Sequence, residues 1–129
     1  MCPPKILLVD DDPGVRASLK FSLELEGFAV DTLESGEALA DLCELPDAAC
    51  LVLDYRLPGL DGLALLALLR LRGLLVPAVL ITGSASNRIR AQALRAGTVL
   101  IEKPLLCDAL TAAIRSAIEK PPLRSRSEL

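Results

Sequence analysis

The side chains able to do chemistry fall into a small set: Asp10, Asp11 and Asp12 in one run, then Asp54, Thr82 and Lys103. Each ends or directly follows a short apolar stretch. Lys5 to Val9 precedes the three acids, Cys50 to Leu53 precedes Asp54, Ala78 to Ile81 precedes Thr82, and Val99 to Glu102 precedes Lys103. The chain has no His, which removes the commonest catalytic base and metal ligand and leaves carboxylates, Lys, Cys and hydroxyls. Three or four carboxylates gathered in a dry site repel one another and need a counter-charge to stay ionised. A hard cation taking oxygen ligands is one remedy, and the ammonium of Lys103 is another. With the Thr82 hydroxyl added, the groups suit a phosphoryl oxygen. A carboxylate can then attack phosphorus, giving an aspartyl phosphate, provided the incoming group is neutralised and held in line.

That chemistry requires elements that bring the residues together. Cys50 to Leu53 is a continuous apolar run closed by Asp54 and a Pro58-Gly59 turn, the pattern of a strand buried on both faces. Lys5 to Val9 reads the same way, and Asp12-Pro13 then supplies a cap and a first helical residue. Val15, Leu19 and Leu23 recur at helical spacing, with Phe21 and Leu25 expected to widen the stripe, to about Glu26. A second strand runs from Phe28 to Leu33, and Ser35-Gly36 opens a helix through about Cys43. A Leu-rich helix follows from about Leu63 to Arg72, then a strand over Ala78 to Thr82 and a helix over Asn87 to Ala96. The last pieces are a strand over Val99 to Glu102 and a helix from about Cys107 to Glu119. Strands alternating with helices predict an α/β fold, a doubly wound parallel sheet. In such a sheet all strand ends of one sense share an edge, where ligands bind. Taken singly, an Asp after a strand caps a helix and a Lys before Pro lies in a loop. Their concentration at consecutive strand ends is what makes a site.

Composition sets the bounds. At 129 residues the chain suits one domain, burying roughly two-thirds of its unfolded surface. Hydrophobic residues make up 52% and aromatics 2%, so the core is aliphatic. A net charge of -3 argues against nucleic acid as the main partner. Cysteines at 2, 43, 50 and 107 form no CxxC pair, which argues against zinc. Thiols without a signal peptide suggest the cytoplasm. The stretch Leu63 to Leu75 is interrupted by Arg70 and Arg72 and is too short to span a bilayer.

With these pieces in place, the chain resembles the receiver domains of two-component response regulators over residues 5–119. It is most similar to those of nitrogen-fixation-type regulators with helix-turn-helix outputs. The resemblance is carried by Leu8-Val9-Asp10-Asp11, Leu53-Asp54 with Pro58-Gly59-Leu60-Asp61-Gly62, Ile81-Thr82-Gly83, Ala96-Gly97 and Glu102-Lys103-Pro104. It implies a flavodoxin-like strand order 2-1-3-4-5, with 1–120 as the receiver and 121–129 as a tail or the start of a linker. It implies Asp54 as phosphoacceptor and Asp10, Asp11, Asp54 and the Arg56 carbonyl as ligands of Mg2+, with Mn2+ as a substitute. Thr82 would be the switch hydroxyl and Lys103 the phosphate-pairing cation, with a cis peptide before Pro104. The implied partner is a sensor histidine kinase or phosphotransfer protein, and the implied role is signalling, with self-catalysed phosphorylation and dephosphorylation.

Two departures stand out. Receivers usually carry Phe or Tyr on the fifth strand three residues before the lysine, where this chain has Leu100. The segment from Gly97 to Lys103 also looks one residue shorter, and Leu105 stands where relatives often have Phe. A muted or rerouted switch is therefore expected at the face of helix four, strand five and helix five. The third helix carries leucines on every side, which suggests a patch for dimerisation or docking. Homodimerisation through that helix or through the switch face is the expectation. Arg88, Arg90 and Arg95 read as a solvated face or as contacts for an acidic partner. A degenerate receiver that only binds proteins stays open as an alternative. An Asp-nucleophile phosphatase is disfavoured because the first strand lacks a DxDxT arrangement.

Overall fold

The structure, a computed structural model, describes residues 3–42, 47–57, 59–103 and 107–119. Five strands alternate with five helices: β1 (Lys5–Val9), α1 (Pro13–Leu25), β2 (Ala29–Leu33), α2 (Gly36–Ala40) and β3 (Cys50–Asp54), then α3 (Gly62–Leu71), β4 (Ala78–Thr82), α4 (Asn87–Ala96), β5 (Val99–Glu102) and α5 (Cys107–Glu119). The strands form one parallel sheet in the order β2-β1-β3-β4-β5, as expected. β3 and β4 are buried throughout, as unbroken apolar strands in the middle of a parallel sheet must be.

Alternation along the strands divides the core in two. Ile6, Leu8, Cys50, Val52, Val79 and Ile81 face one side, where they meet Leu19 and Leu23 of α1 and Leu110 and Ile114 of α5. Leu7, Val9, Leu51, Leu53 and Leu80 face the other and meet Leu39 of α2 and Leu65, Leu66 and Leu69 of α3. Each side chain of this kind stabilises the fold by roughly 1.5–3 kcal/mol when fully buried.

Helix starts are fixed by side-chain caps next to the strand ends. Asp12 Oδ1 accepts from the Gly14 and Val15 N–H groups, with Pro13 in the first turn. Ser35, Asp61 and Ser86 cap α2, α3 and α4. α4 ends at Gly97, whose φ of 72° lies in the left-handed region that glycine adopts without strain. α3 begins at Gly62, where a Cβ would sit 2.6 Å from the Asp54 carbonyl oxygen and 2.8 Å from Leu80 Cδ1. That close approach lets α3 start directly behind the end of β3.

Three expectations need correction. Phe21 and Leu25 do not widen the buried stripe of α1; they are 65% and 70% exposed. Each lies two residues, about 200° of helical rotation, from a buried leucine. The third helix is not apolar toward solvent all round: Leu65, Leu66 and Leu69 are buried, Leu63 and Leu68 half-buried, and Leu71 exposed, while Leu74, half-buried, and Leu75, exposed, lie beyond its end. α2 closes at Ala40 with Asp41 as its C-cap, short of Cys43, which lies outside the described residues. The Lys103-Pro104 peptide, Leu105 and residues 120–129 also lie outside them. Among the described residues no helix is long and apolar enough to cross a membrane.

Candidate functional site

The carboxyl edge of the sheet collects the acids. Asp10 follows β1 directly and is 1% exposed, and Asp54 ends β3 at 6% exposed. Asp11 stands beside them, facing solvent. One carboxylate oxygen from each of Asp10, Asp11 and Asp54 lies within 4.8 Å of the others. Register explains the meeting: β1 pairs with β3 through Val9 and Leu53, so the next residues of both strands emerge side by side.

Local hydrogen bonds hold the carboxylates in place. The Asp12 N–H donates to Asp10 Oδ1 at 2.9 Å, and the Arg56 N–H donates to Asp54 Oδ1 at 3.1 Å. Asp54 Oδ2 faces Lys103 Nζ at 3.6 Å, an ion pair with the carboxylate nearly covered and the ammonium one-third exposed. Burial pushes the Asp10 carboxyl above the usual carboxylate range; the Asp12 N–H bond opposes this, and the charge of Asp54 adds to it. An acid held against ionisation by its surroundings and by like charges is a site short of positive charge.

Thr82, fully buried at the end of β4, lies one strand away from Asp54. Its neighbour Ile81 is the register partner of Asp54, and the Lys103 N–H donates to the Thr82 carbonyl at 2.8 Å. The hydroxyl itself is turned to the following loop. It accepts from the Ser84 N–H and donates to the Ser84 carbonyl, both at 3.2 Å. Leu100 sits on β5 opposite Leu80 and packs, half-buried, against the cluster beneath α3.

Sequence reasoning overlooked Arg16, whose Nη1 donates to the Asp10 carbonyl at 2.7 Å and braces the turn that carries the acids. A signal existed: a cation near a helix N-terminus opposes the helix dipole and needs a local partner. The Arg90 guanidinium, expected on a solvated face, pairs with Glu102 at 2.7 Å. Arg88 and Arg95 line a cleft of about 500 Å³ between α3 and α4 with Tyr55 and Asp61.

Residues 6–115 match the response regulator receiver domain family. The chain belongs to that family. Among curated relatives, this receiver is 36% identical over 124 residues to the transcriptional regulatory protein FixJ of Bradyrhizobium diazoefficiens, covering 95% of this chain and 60% of that protein. It is 38% identical over 117 residues to the C4-dicarboxylate transport transcriptional regulatory protein DctD of Pseudomonas aeruginosa, covering 89% of this chain and 25% of that one. The receiver thus spans less than two-thirds of the length of both relatives. Among solved structures, it superposes on the receiver domain of the sensor histidine kinase PA1611 from Pseudomonas aeruginosa with a TM-score of 0.80 at 26% identity, covering 92% of this chain and 99% of that one. That structure is described as having a magnesium ion coordinated in its active-site cleft.

Proposed function

We propose that this receiver is a phosphoacceptor: Asp54 takes a phosphoryl group from the phosphohistidine of a sensor histidine kinase or a phosphotransfer protein. The observation that carries the reading is the position of Asp54, nearly covered, beside Lys103 and within reach of Asp10 and Asp11. An Asp54 carboxylate oxygen forms the new bond to phosphorus as the phosphorus–nitrogen bond of the donor breaks, and the imidazole leaves with the electron pair. Lys103 faces the charge that gathers on the transferred group. Thr82 can add a hydrogen bond once it gives up Ser84. The Arg56 N–H fixes Asp54 Oδ1 and so orients the carboxylate.

The donor set fits a hard divalent cation, since three carboxylates converge and the most buried of them resists ionisation alone. Asp10, Asp11, Asp54 and the Arg56 carbonyl would hold Mg2+, or Mn2+ in its place. When bound, the ion would supply the positive charge that keeps these carboxylates ionised and offsets the charge of an incoming phosphoryl group. The same groups serve phosphorylation and hydrolysis, so the domain catalyses its own modification while acting as a signal.

Leu100 in the usual aromatic position supports a muted response at the face of α4, β5 and α5. Leu94, 81% exposed, and Val99, 44% exposed, leave that face apolar enough to meet a second copy. Leu71 at the end of the third helix and Leu75 just beyond it are what that side of the domain offers instead. We assign residues 1–120 to the receiver and 121–129 to a tail or the start of a linker. We place the protein in the cytoplasm, consistent with the free thiol of buried Cys50.

Incubation with acetyl phosphate and Mg2+, followed by intact mass, tests the reading. One phosphoryl adduct in the wild type and none in Asp54→Asn is the expected result. No adduct in the wild type would leave a phosphorylation-independent interaction module, and turnover of many equivalents would point to a phosphatase.

A further inference from the structure

The hydroxyl of Thr82 is engaged, through both its donor and its acceptor, with Ser84 in the loop that leads into α4. Turning it toward a phosphoryl group on Asp54 would release the N–H and the carbonyl of Ser84 together. One residue further on, the Ala85 N–H points to Glu102 Oε2 at 3.4 Å. The other oxygen of that carboxylate takes Arg90 Nη2 of α4 at 2.7 Å. Glu102 is also the register partner of Thr82 across the sheet, and Lys103 follows it in the chain. One carboxylate on β5 therefore holds both the Thr82 loop and the first turn of α4.

Glu102 and Leu100 stand two residues apart on β5 and so share a face of the sheet. Leu100 and Arg90 line one hollow of about 240 Å³ with Ala93, Leu94 and Thr98. That hollow thus lies between the aliphatic side chain of Leu100 and Arg90, the residue whose guanidinium Glu102 holds. We propose that Glu102 is a positioning residue: it holds the loop of Thr82 against α4, and its release from Ala85 and Arg90 carries the phosphorylation signal to α4. This rests on Asp54 being the phosphoacceptor. Both partners of the ion pair are about half exposed, so the link is weak and readily broken. A weak link is what a switch between states of similar free energy requires.

Amide hydrogen exchange over residues 87–96 tests this on the full chain, with and without beryllofluoride and Mg2+. Backbone NMR shifts at Asp54 and Thr82 report whether the mimic has bound. In the wild type, the mimic should speed exchange in α4 by about two- to five-fold, the scale of one exposed ion pair. Glu102→Gln should reach that rate without the mimic and gain little from it, whereas Arg90→Lys, which keeps the charge pair, should respond like the wild type. The half-exposed positions of both residues make these substitutions compatible with the fold. A Glu102→Gln variant with the wild-type response overturns the proposal. So does a wild type whose α4 is unmoved while Asp54 and Thr82 report bound mimic, and that result leaves the phosphoacceptor reading standing. Failure of the mimic to bind at Asp54 overturns both.

Discussion

Lys103 Nζ stands 3.6 Å from Asp54 Oδ2, so the end of β5 supplies an ammonium to the carboxylate that ends β3, with β4 between them. The separation is long for a direct hydrogen bond and suits a cation that closes on an added phosphoryl oxygen. Lys103→Met should slow adduct formation from acetyl phosphate by about 10²-fold, the usual cost of removing one charge-stabilising donor. Its affinity for Mg2+ should not fall, because the lost charge is one that repels the ion. Adduct rates by intact mass, with Mg2+ titrations followed by the fluorescence of Tyr55, separate the two effects. Loss of Mg2+ affinity along with the rate would contradict the role given to Lys103.

Asp10 makes the ion-free protein sensitive to pH. Its carboxyl is held above the ordinary carboxylate pKa by burial and by Asp54, so the folded state binds its proton more tightly than the unfolded state. The contribution to stability is therefore fully present below the unfolded value of 3.8 and is lost as pH rises through the raised folded value. Asp10→Asn keeps an oxygen for the Asp12 N–H and removes the charge. It should raise the melting temperature of the ion-free protein at neutral pH and flatten this part of the pH profile. It should also abolish most of the thermal stabilisation given by saturating Mg2+. Calorimetric scans with EDTA and with Mg2+ check all three; a destabilised ion-free variant would show that the charge is already compensated.

The strands and their acids were legible because a parallel sheet imposes unbroken apolar runs, and because such runs end where Asp10, Asp54, Thr82 and Lys103 stand. What stayed hidden depends on rotation or on distance. Phe21 and Leu25 looked like core, yet they lie nearly opposite Leu19 and Leu23 on α1. The leucines of α3 looked uniform until the helix axis set Leu65, Leu66 and Leu69 inward and Leu71 outward. The Arg90–Glu102 bridge joins residues twelve apart in sequence, through a contact that only the placement of α4 beside β5 creates. Arg16 was hidden differently: its partner is a backbone carbonyl, which every residue possesses.

Gly62 links the frame to the site. A methyl group there would meet the Asp54 carbonyl oxygen at 2.6 Å and Tyr55 Cα at 3.1 Å, both backbone atoms that cannot swing aside. The Gly62 N–H also donates to the Tyr55 carbonyl at 2.8 Å. Gly62→Ala should cost about 1–3 kcal/mol, as overpacking in a close-packed interior does. Because the strain falls on the end of β3, it should also slow phosphorylation of Asp54 in the protein that remains folded. Denaturant midpoints with adduct rates measure the two; a variant of full stability and rate would mean that α3 shifts freely.

Leu100 gives the sharpest test of how the domain answers its own chemistry. It is half-buried above Leu80, beside a hollow of about 240 Å³ that reaches Arg90 and Leu94. A ring at this position can grow into that hollow rather than into the packed cluster, so Leu100→Phe should change stability by less than about 1 kcal/mol. A ring that follows Thr82 inward would move more surface than leucine can. The variant should therefore give larger beryllofluoride-induced NMR shifts than the wild type over residues 87–102, at unchanged occupancy of Asp54. Equal shifts in the two proteins would mean that the identity of residue 100 does not limit the response. The polar route through Glu102 would then have to carry it alone.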